Sequence, residues 1–159
     1  MKIKHGDILS VANGIIVHQV NAQGVMGSGL AKQIREKYPM AFDEYHVAIK
    51  NAIFKSAILG SIIPVVVSES LMIVNVVAQR DFGRDKNVRY TSYDALDLAF
   101  KSLSKNLRTT KFDGDINIPE IGAGLGNGNF QIIQEIILSH LTPNFEEETG
   151  NEVVFWKYN

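Results

Sequence analysis

His18-Gln-Val-Asn-Ala-Gln-Gly-Val-Met-Gly-Ser-Gly-Leu30 is the stretch whose reading decides the fold. The apolar run Ile15-Ile16-Val17 leads into it as a buried strand. Beyond it the period changes: Leu30, Ile34 and Tyr38 recur every four residues, with Lys32, Arg35, Glu36 and Lys37 between them, which predicts a helix. A polar, glycine-rich turn therefore joins the end of a strand to the start of a helix. Gly24, Gly27 and Gly29 permit backbone angles and close approaches that a β-carbon forbids. The helix start turns unpaired N–H groups and a positive dipole end toward whatever occupies the turn. Such a turn suits a phosphate or pyrophosphate.

One glycine turn is weak evidence, and this one is neither the dinucleotide fingerprint nor a Lys-Ser/Thr phosphate loop. A second turn, Ile121-Gly-Ala-Gly-Leu-Gly-Asn-Gly128, strengthens the reading. It follows a strand at 116–118 and Pro119, and it precedes a helix carrying Ile132, Ile133, Ile136 and Ile137. Two such turns in one small domain predict a single ligand clamped from both sides.

Four segments now stand in order over roughly residues 4 to 140: Gly6-Asp-Ile8, Asn21-Ala-Gln-Gly24, Met26-Gly-Ser-Gly-Leu-Ala31 and Pro119-Glu-Ile-Gly-Ala-Gly-Leu125. Together they resemble the macrodomain, the ADP-ribose-binding fold. The resemblance is closest to the small stand-alone branch that includes ADP-ribose 1''-phosphate phosphatases and some de-ADP-ribosylating enzymes. The motifs are specific for the fold and less so for the reaction.

The resemblance implies roles for individual residues. Asp7 would receive the exocyclic amine of adenine, with Ile8 packed near the base. Gly27, Ser28, Gly29 and Leu30, facing Ile121, Gly122, Ala123, Gly124, Leu125 and Gly126, would enclose the pyrophosphate with backbone N–H groups. Asn21 would hold the distal ribose, since its amide both donates and accepts. Phe130 matches an aromatic near the second turn, and core packing accounts for it equally well. His18 matches a histidine implicated in activity in the phosphatase branch; a hydrogen-bonded histidine in the sheet is an equal account of it. Strand alternation sets His18 and Asn21 on opposite faces unless the chain turns at Asn21.

The expected activity is conversion of ADP-ribose 1''-phosphate to ADP-ribose and phosphate, with His18 and Asn21 as catalytic residues. The alternatives are removal of ADP-ribose from a modified protein or nucleic acid, and a reader that binds without turnover. Relatives with a lysine–aspartate pair carry their aspartate just after the second turn, where Gly126 and Asn127 stand here. After the strand at 71–78 this chain has Gln79-Arg80 and no lysine, and the position before the aromatic is Asn129. A covalent lysine mechanism is therefore disfavoured. Asp81 and Asp85 remain as loop carboxylates within reach of the site.

Composition sets the outer bounds. The 159 residues fit one domain spanning 1–159, a single macrodomain by the resemblance. Sixteen basic and seventeen acidic residues leave a net charge of −1, which argues against a general nucleic-acid surface. The partner is then ADP-ribose or its 1''-phosphate, with nucleic acid entering only as an ADP-ribosylated substrate. Arg80, Arg84, Lys86 and Arg89 form a local basic stretch that reads as a solvated loop. There is no cysteine, which excludes disulfides, thiolate metal sites and a cysteine nucleophile. The four histidines, His5, His18, His46 and His140, have no metal-ligand spacing, so neither a metal nor any other cofactor is expected. His46 reads as a surface side chain. With no signal core and no spanning apolar run, the expected location is the cytoplasm; the oligomeric state is open.

Strands are expected at residues 2–4, 14–20, 60–67, 71–78, 116–118 and 153–156. Pro64 puts the third at an edge or a bulge, and Ser68-Glu69-Ser70 makes an antiparallel hairpin with the fourth. Helices are expected after Leu30, over 42–52, after Thr91 as cap, and around Ile132–Ile137. Glu146-Glu147-Glu148 reads as a solvated connection. This alternation predicts a three-layer α/β/α sandwich with a mixed, mostly parallel central sheet. Its ligand would sit beyond the carboxyl ends of the strands.

Overall fold

The computed structural model describes residues 1–109 and 112–158. In chain order come β1 (Lys2–His5), a 3₁₀ turn (Ile8–Ser10), β2 (Gly14–Asn21), α1 (Gly29–Lys37), α2 (Pro39–Asn51), the single turn α3 (Lys55–Ile58), β3 (Ile62–Val66) and β4 (Leu71–Gln79). They are followed by α4 (Tyr93–Thr109), β5 (Ile116–Pro119), α5 (Phe130–Leu141), a π-helical turn (Thr142–Glu146), α6 (Glu147–Thr149) and β6 (Val153–Lys157). The six strands order as β1-β6-β5-β2-β4-β3. All pairings are parallel except β3 with β4, so the hairpin strand carrying Pro64 is the antiparallel edge.

Period-two alternation divides the central strands between two helical layers. Ile15 and Val17 of β2, with Val74 and Val76 of β4, pack against Leu96, Phe100 and Leu103 of α4 and Ile133 and Ile137 of α5. Ile16 and Ile73 face the opposite layer, meeting Ile34 of α1 and Ala41 of α2. Val20 and Val77 continue that face against Tyr45 and Ile49 of α2. Both central strands are thus covered on both sides, which is why they read as unbroken apolar runs.

Three local expectations change. The cap of α4 is Ser92, whose hydroxyl oxygen accepts the Ala95 N–H at 3.1 Å; Thr91 is buried and serves the site instead. The acidic connection is helical, because Phe145 is buried in the core and draws the segment onto the α4–α5 layer. The π-helical turn and α6 result. His46 is half-buried, stacked on Phe42 with ring centroids 5.3 Å apart, and its Nδ1 donates to Gly24 O at 3.1 Å. It braces the first glycine turn.

Candidate functional site

β2 ends in a bulge. Its register with β4 runs evenly from Gly14↔Leu71 to Val20↔Val77 and then slips, so that Asn21 pairs with Gln79. The slip rotates Asn21 onto the α2 face, the face that His18 already occupies. Two residues that strict alternation would separate are thereby brought together.

Asn21 is saturated on one side. Its Oδ1 accepts the Gln23 N–H at 2.9 Å and the Tyr45 hydroxyl at 2.9 Å, and its Nδ2 donates to Val25 O at 2.8 Å. The carboxamide therefore shapes the first glycine turn and retains one N–H for a ligand, as a donor only. Tyr45 OH also lies 2.7 Å from Asn21 O. Burial pushes its phenol well above the ordinary tyrosine range, so it remains a donor. Tyr45→Phe is expected to lower unfolding stability by about 1–3 kcal/mol, because a buried carbonyl loses its partner. Urea unfolding checks this; a midpoint equal to that of the unmodified protein would mean the bond is idle.

His18 is 1% exposed, and its Nε2 lies 2.6 Å from Asn75 Oδ1. Asn75 Nδ2 donates to Ala41 O and Ile63 O, so its Oδ1 faces the ring as an acceptor. The imidazole must then carry its proton on Nε2, leaving Nδ1 as a buried acceptor without a partner among the described residues. Desolvation lowers the His18 pKa to about 4, with the Asn75 bond opposing it. His18 is neutral at neutral pH.

A cavity of about 520 Å³ opens above these residues. Gly27, Ser28, Gly29 and Leu30 form one wall. Hydrogen bonding at the start of α1 begins with Lys32 N–H to Ser28 O, so the N–H groups of Gly29, Leu30 and Ala31 are left to the cavity. Ile121, Gly122, Gly124, Leu125 and Gly126 form the facing wall. Within that turn Ala123, Asn127 and Gly128 spend their N–H groups on Glu120, Gly124 and Gly122 carbonyls. Those of Gly124, Leu125 and Gly126 have no acceptor among the described residues. His18 and Asn21 line the same cavity.

A second cavity of about 310 Å³ is lined by Asp7, Ile8 and Trp156 and shares Gly29, Leu30 and Pro119 with the first. Asp7 Oδ1 caps the 3₁₀ turn by accepting the Leu9 N–H at 2.9 Å, so one carboxylate oxygen stays available. Ala123 and Phe130 line neither cavity. Phe130 packs edge-on to Phe155 in the core, with ring centroids 5.6 Å apart. The loop carboxylates are also committed elsewhere: Asp81 accepts from Gln23 Nε2 and Asp85 from Asn87 N. Among the described residues no cluster of three or more His, Asp or Glu is placed to hold a metal. No helix of the described residues is long and apolar enough to cross a membrane.

Several lining residues carry no sequence signal of their own. Gln19 sits between the two glycine turns: its Nε2 donates to Gln79 Oε1 at 2.8 Å and Thr91 Oγ1 at 2.9 Å, while Thr91 Oγ1 donates to Gly122 O at 2.7 Å. This chain of bonds ties β2, β4 and the start of α4 to the second turn. Phe82, Gly83 and Arg84 bring the loop after β4 onto the cavity, and Glu120 enters from the end of β5. Arg84, exposed on that loop, thus also lines the cavity.

Two glycine turns face each other across the carboxyl edge of a mostly parallel sheet, with one cavity between them. The fold is that of the macrodomains. The macrodomain of Mycobacterium tuberculosis DarG superposes with a TM-score of 0.78 at 21% identity, covering 96% of each chain. Thermosipho africanus DarTG in complex with ADP-ribose gives a TM-score of 0.74 at 15% identity, covering 99% of this chain and 42% of that one. In sequence, the chain is 23% identical over 137 residues to the DNA ADP-ribosyl glycohydrolase of Mycobacterium tuberculosis. That match covers 84% of this chain and 36% of the relative, so the chain spans about a third of the length of the curated relatives it matches. No family model matches the chain.

Proposed function

We propose that the chain binds ADP-ribose along the carboxyl ends of its strands and hydrolyses the bond joining ADP-ribose to a modified macromolecule. The observation that carries this reading is two cavities that share Gly29, Leu30 and Pro119 and follow one another along the strand order β6-β5-β2-β4. Adenine lies in the cavity against Trp156, with the free oxygen of Asp7 accepting its exocyclic amine. The pyrophosphate lies between the glycine turns, held by N–H groups in place of cationic side chains. The distal ribose lies over Asn21 and His18, toward Gln79. The DarTG complex with ADP-ribose and the DNA ADP-ribosyl glycohydrolase relative support the ligand and the reaction class.

In the reaction a water oxygen bonds to the anomeric carbon of the distal ribose. The bond from that carbon to the macromolecule breaks, and the departing atom keeps the electron pair and takes up, through solvent, the proton that the attacking water gives up. His18 Nδ1 accepts a hydrogen bond from the water. With a pKa near 4 the ring is a weak base, so it orients the water more than it deprotonates it.

A second reading, phosphate release from ADP-ribose 1''-phosphate, is favoured by Arg84. This guanidinium lines the cavity and has no ion-pair partner among the described residues. It ranks second because a phosphomonoester dianion calls for several charged donors at the distal end. Arg84 is the one cation among the described residues lining that cavity.

Titration calorimetry is expected to show one ADP-ribose site per chain and far weaker binding of AMP. Incubation with an ADP-ribosylated peptide and an ADP-ribosylated oligonucleotide is expected to release ADP-ribose. Phosphate release from the 1''-phosphate without that activity would install the second reading. Binding without any turnover would make the chain a reader. No heat and no thermal stabilisation at millimolar ADP-ribose would remove all three.

A further inference from the structure

The strand order places one charged side chain where no role has yet been given. Glu120 follows Pro119 at the end of β5, and Pro119 pairs in register with Trp156 of β6. Pro119, Gly29 and Leu30 are shared by the two cavities, so they mark the junction between them. Glu120 lines the larger cavity next to that junction. Its side chain is exposed and makes no hydrogen bond or ion pair among the described residues. Both carboxylate oxygens are therefore available at the rim of the cavity that Glu120 lines.

Neighbouring strands are about 4.8 Å apart. Stepping along the sheet from β6 to β4 spans the same succession as ADP-ribose itself: base, first ribose, diphosphate, second ribose. With the base at β6 and the diphosphate over β2, the adenosine ribose falls at β5, beside Glu120. An ionised carboxylate only accepts hydrogen bonds, which matches a sugar 2'-hydroxyl. The same chemistry lets an acidic side chain select an unphosphorylated nucleotide ribose, whereas an arginine accommodates a 2'-phosphate. Arg84 lies at the far end of the row, on the loop after β4.

We propose that Glu120 is a specificity-determining residue that holds the adenosine 2'-hydroxyl and rejects a 2'-phosphate, restricting the site to ADP-ribose derived from the unphosphorylated dinucleotide. The inference rests on the ADP-ribose reading above. Its test measures the affinities of ADP-ribose, its 2'-deoxy form and its 2'-phosphate by calorimetry, for the unmodified protein, Glu120→Gln and Glu120→Ala. The exposed, unbonded side chain makes both variants compatible with the fold, which melting curves check.

The unmodified protein is expected to bind ADP-ribose about tenfold more tightly than the 2'-deoxy form, the worth of one charge-assisted hydrogen bond. It is expected to prefer ADP-ribose over the 2'-phosphate by about thirtyfold or more, from like-charge repulsion. Glu120→Gln keeps an acceptor and removes the charge, so the 2'-phosphate gap shrinks to a few-fold while the 2'-deoxy gap largely persists. Glu120→Ala closes both. Equal affinity of the unmodified protein for ADP-ribose and its 2'-phosphate would overturn the inference and leave the ADP-ribose reading standing. So would a 2'-phosphate gap unchanged in Glu120→Gln. Failure to bind ADP-ribose at all would remove both together.

Discussion

Gly126→Ala is expected to lower ADP-ribose affinity by about one to two orders of magnitude and to reduce stability by about 1–3 kcal/mol. A β-carbon at this position would lie 2.2 Å from Thr91 Oγ1 and 2.8 Å from Gly122 O. Thr91 cannot swing aside freely, because its hydroxyl accepts from Gln19 and donates to Gly122. Relief therefore requires breaking that chain or moving the turn, and either displaces the N–H groups of Gly124, Leu125 and Gly126 from the positions in which they would meet the diphosphate of the proposed ligand. Gly124→Ala is the matched control, since nothing lies within 4 Å of its added carbon. It is expected to melt like the unmodified protein. Calorimetry well below both melting temperatures separates lost binding from unfolding. A Gly126→Ala protein with normal affinity and normal melting would show that the Gln19–Thr91–Gly122 chain does not hold the turn.

The second large effect concerns His18. Burial lowers its folded pKa to about 4 from the ordinary 6.5. The unfolded chain therefore binds a proton in a range where the folded protein does not. The stability in question is fully present above pH 6.5 and declines as the pH falls toward 4. Over that window the protein is expected to lose on the order of 3 kcal/mol on this account, at 1.36 kcal/mol per pKa unit. His18→Leu removes the dependence and leaves Asn75 Oδ1 without its donor, costing about 1–3 kcal/mol at neutral pH. Urea unfolding at several pH values reads both effects, and a His18→Leu profile parallel to that of the unmodified protein would sink the argument. If His18 also positions the attacking water, His18→Ala lowers turnover by about 10²–10⁴-fold while ADP-ribose still binds. Retained turnover in a folded His18→Ala protein would confine the residue to the sheet.

Much of the architecture was legible in the chain. The double-sided apolar runs of β2 and β4 announce buried central strands, and Pro64 marks the antiparallel edge because it cannot donate to a ladder. Both glycine turns stand where they were expected, at the carboxyl edge and facing each other across one cavity. Other features were not legible. The acidic segment does expose Glu147 and Glu148, but its helical path was not legible, because it follows from the burial of one aromatic, Phe145. His46 lies among charged neighbours in sequence, yet it contacts Gly24 across 22 residues.

By itself the sequence determined the layer order, the strand identities and the two glycine turns, because these follow from short-range periods and from what glycine and proline permit. Only the tertiary structure decided how the polar groups are used. A bulge of one residue brought Asn21 to the side of His18, a shift that no alternation pattern records. Contacts from Asn75, Tyr45 and Thr91, separated by 57, 24 and 72 residues from His18, Asn21 and Gln19, determined which of their atoms remain free for a ligand. Hydrogen-bond saturation is a property of all partners at once. A residue's type states what it can donate or accept, and the packing of distant segments states what is left.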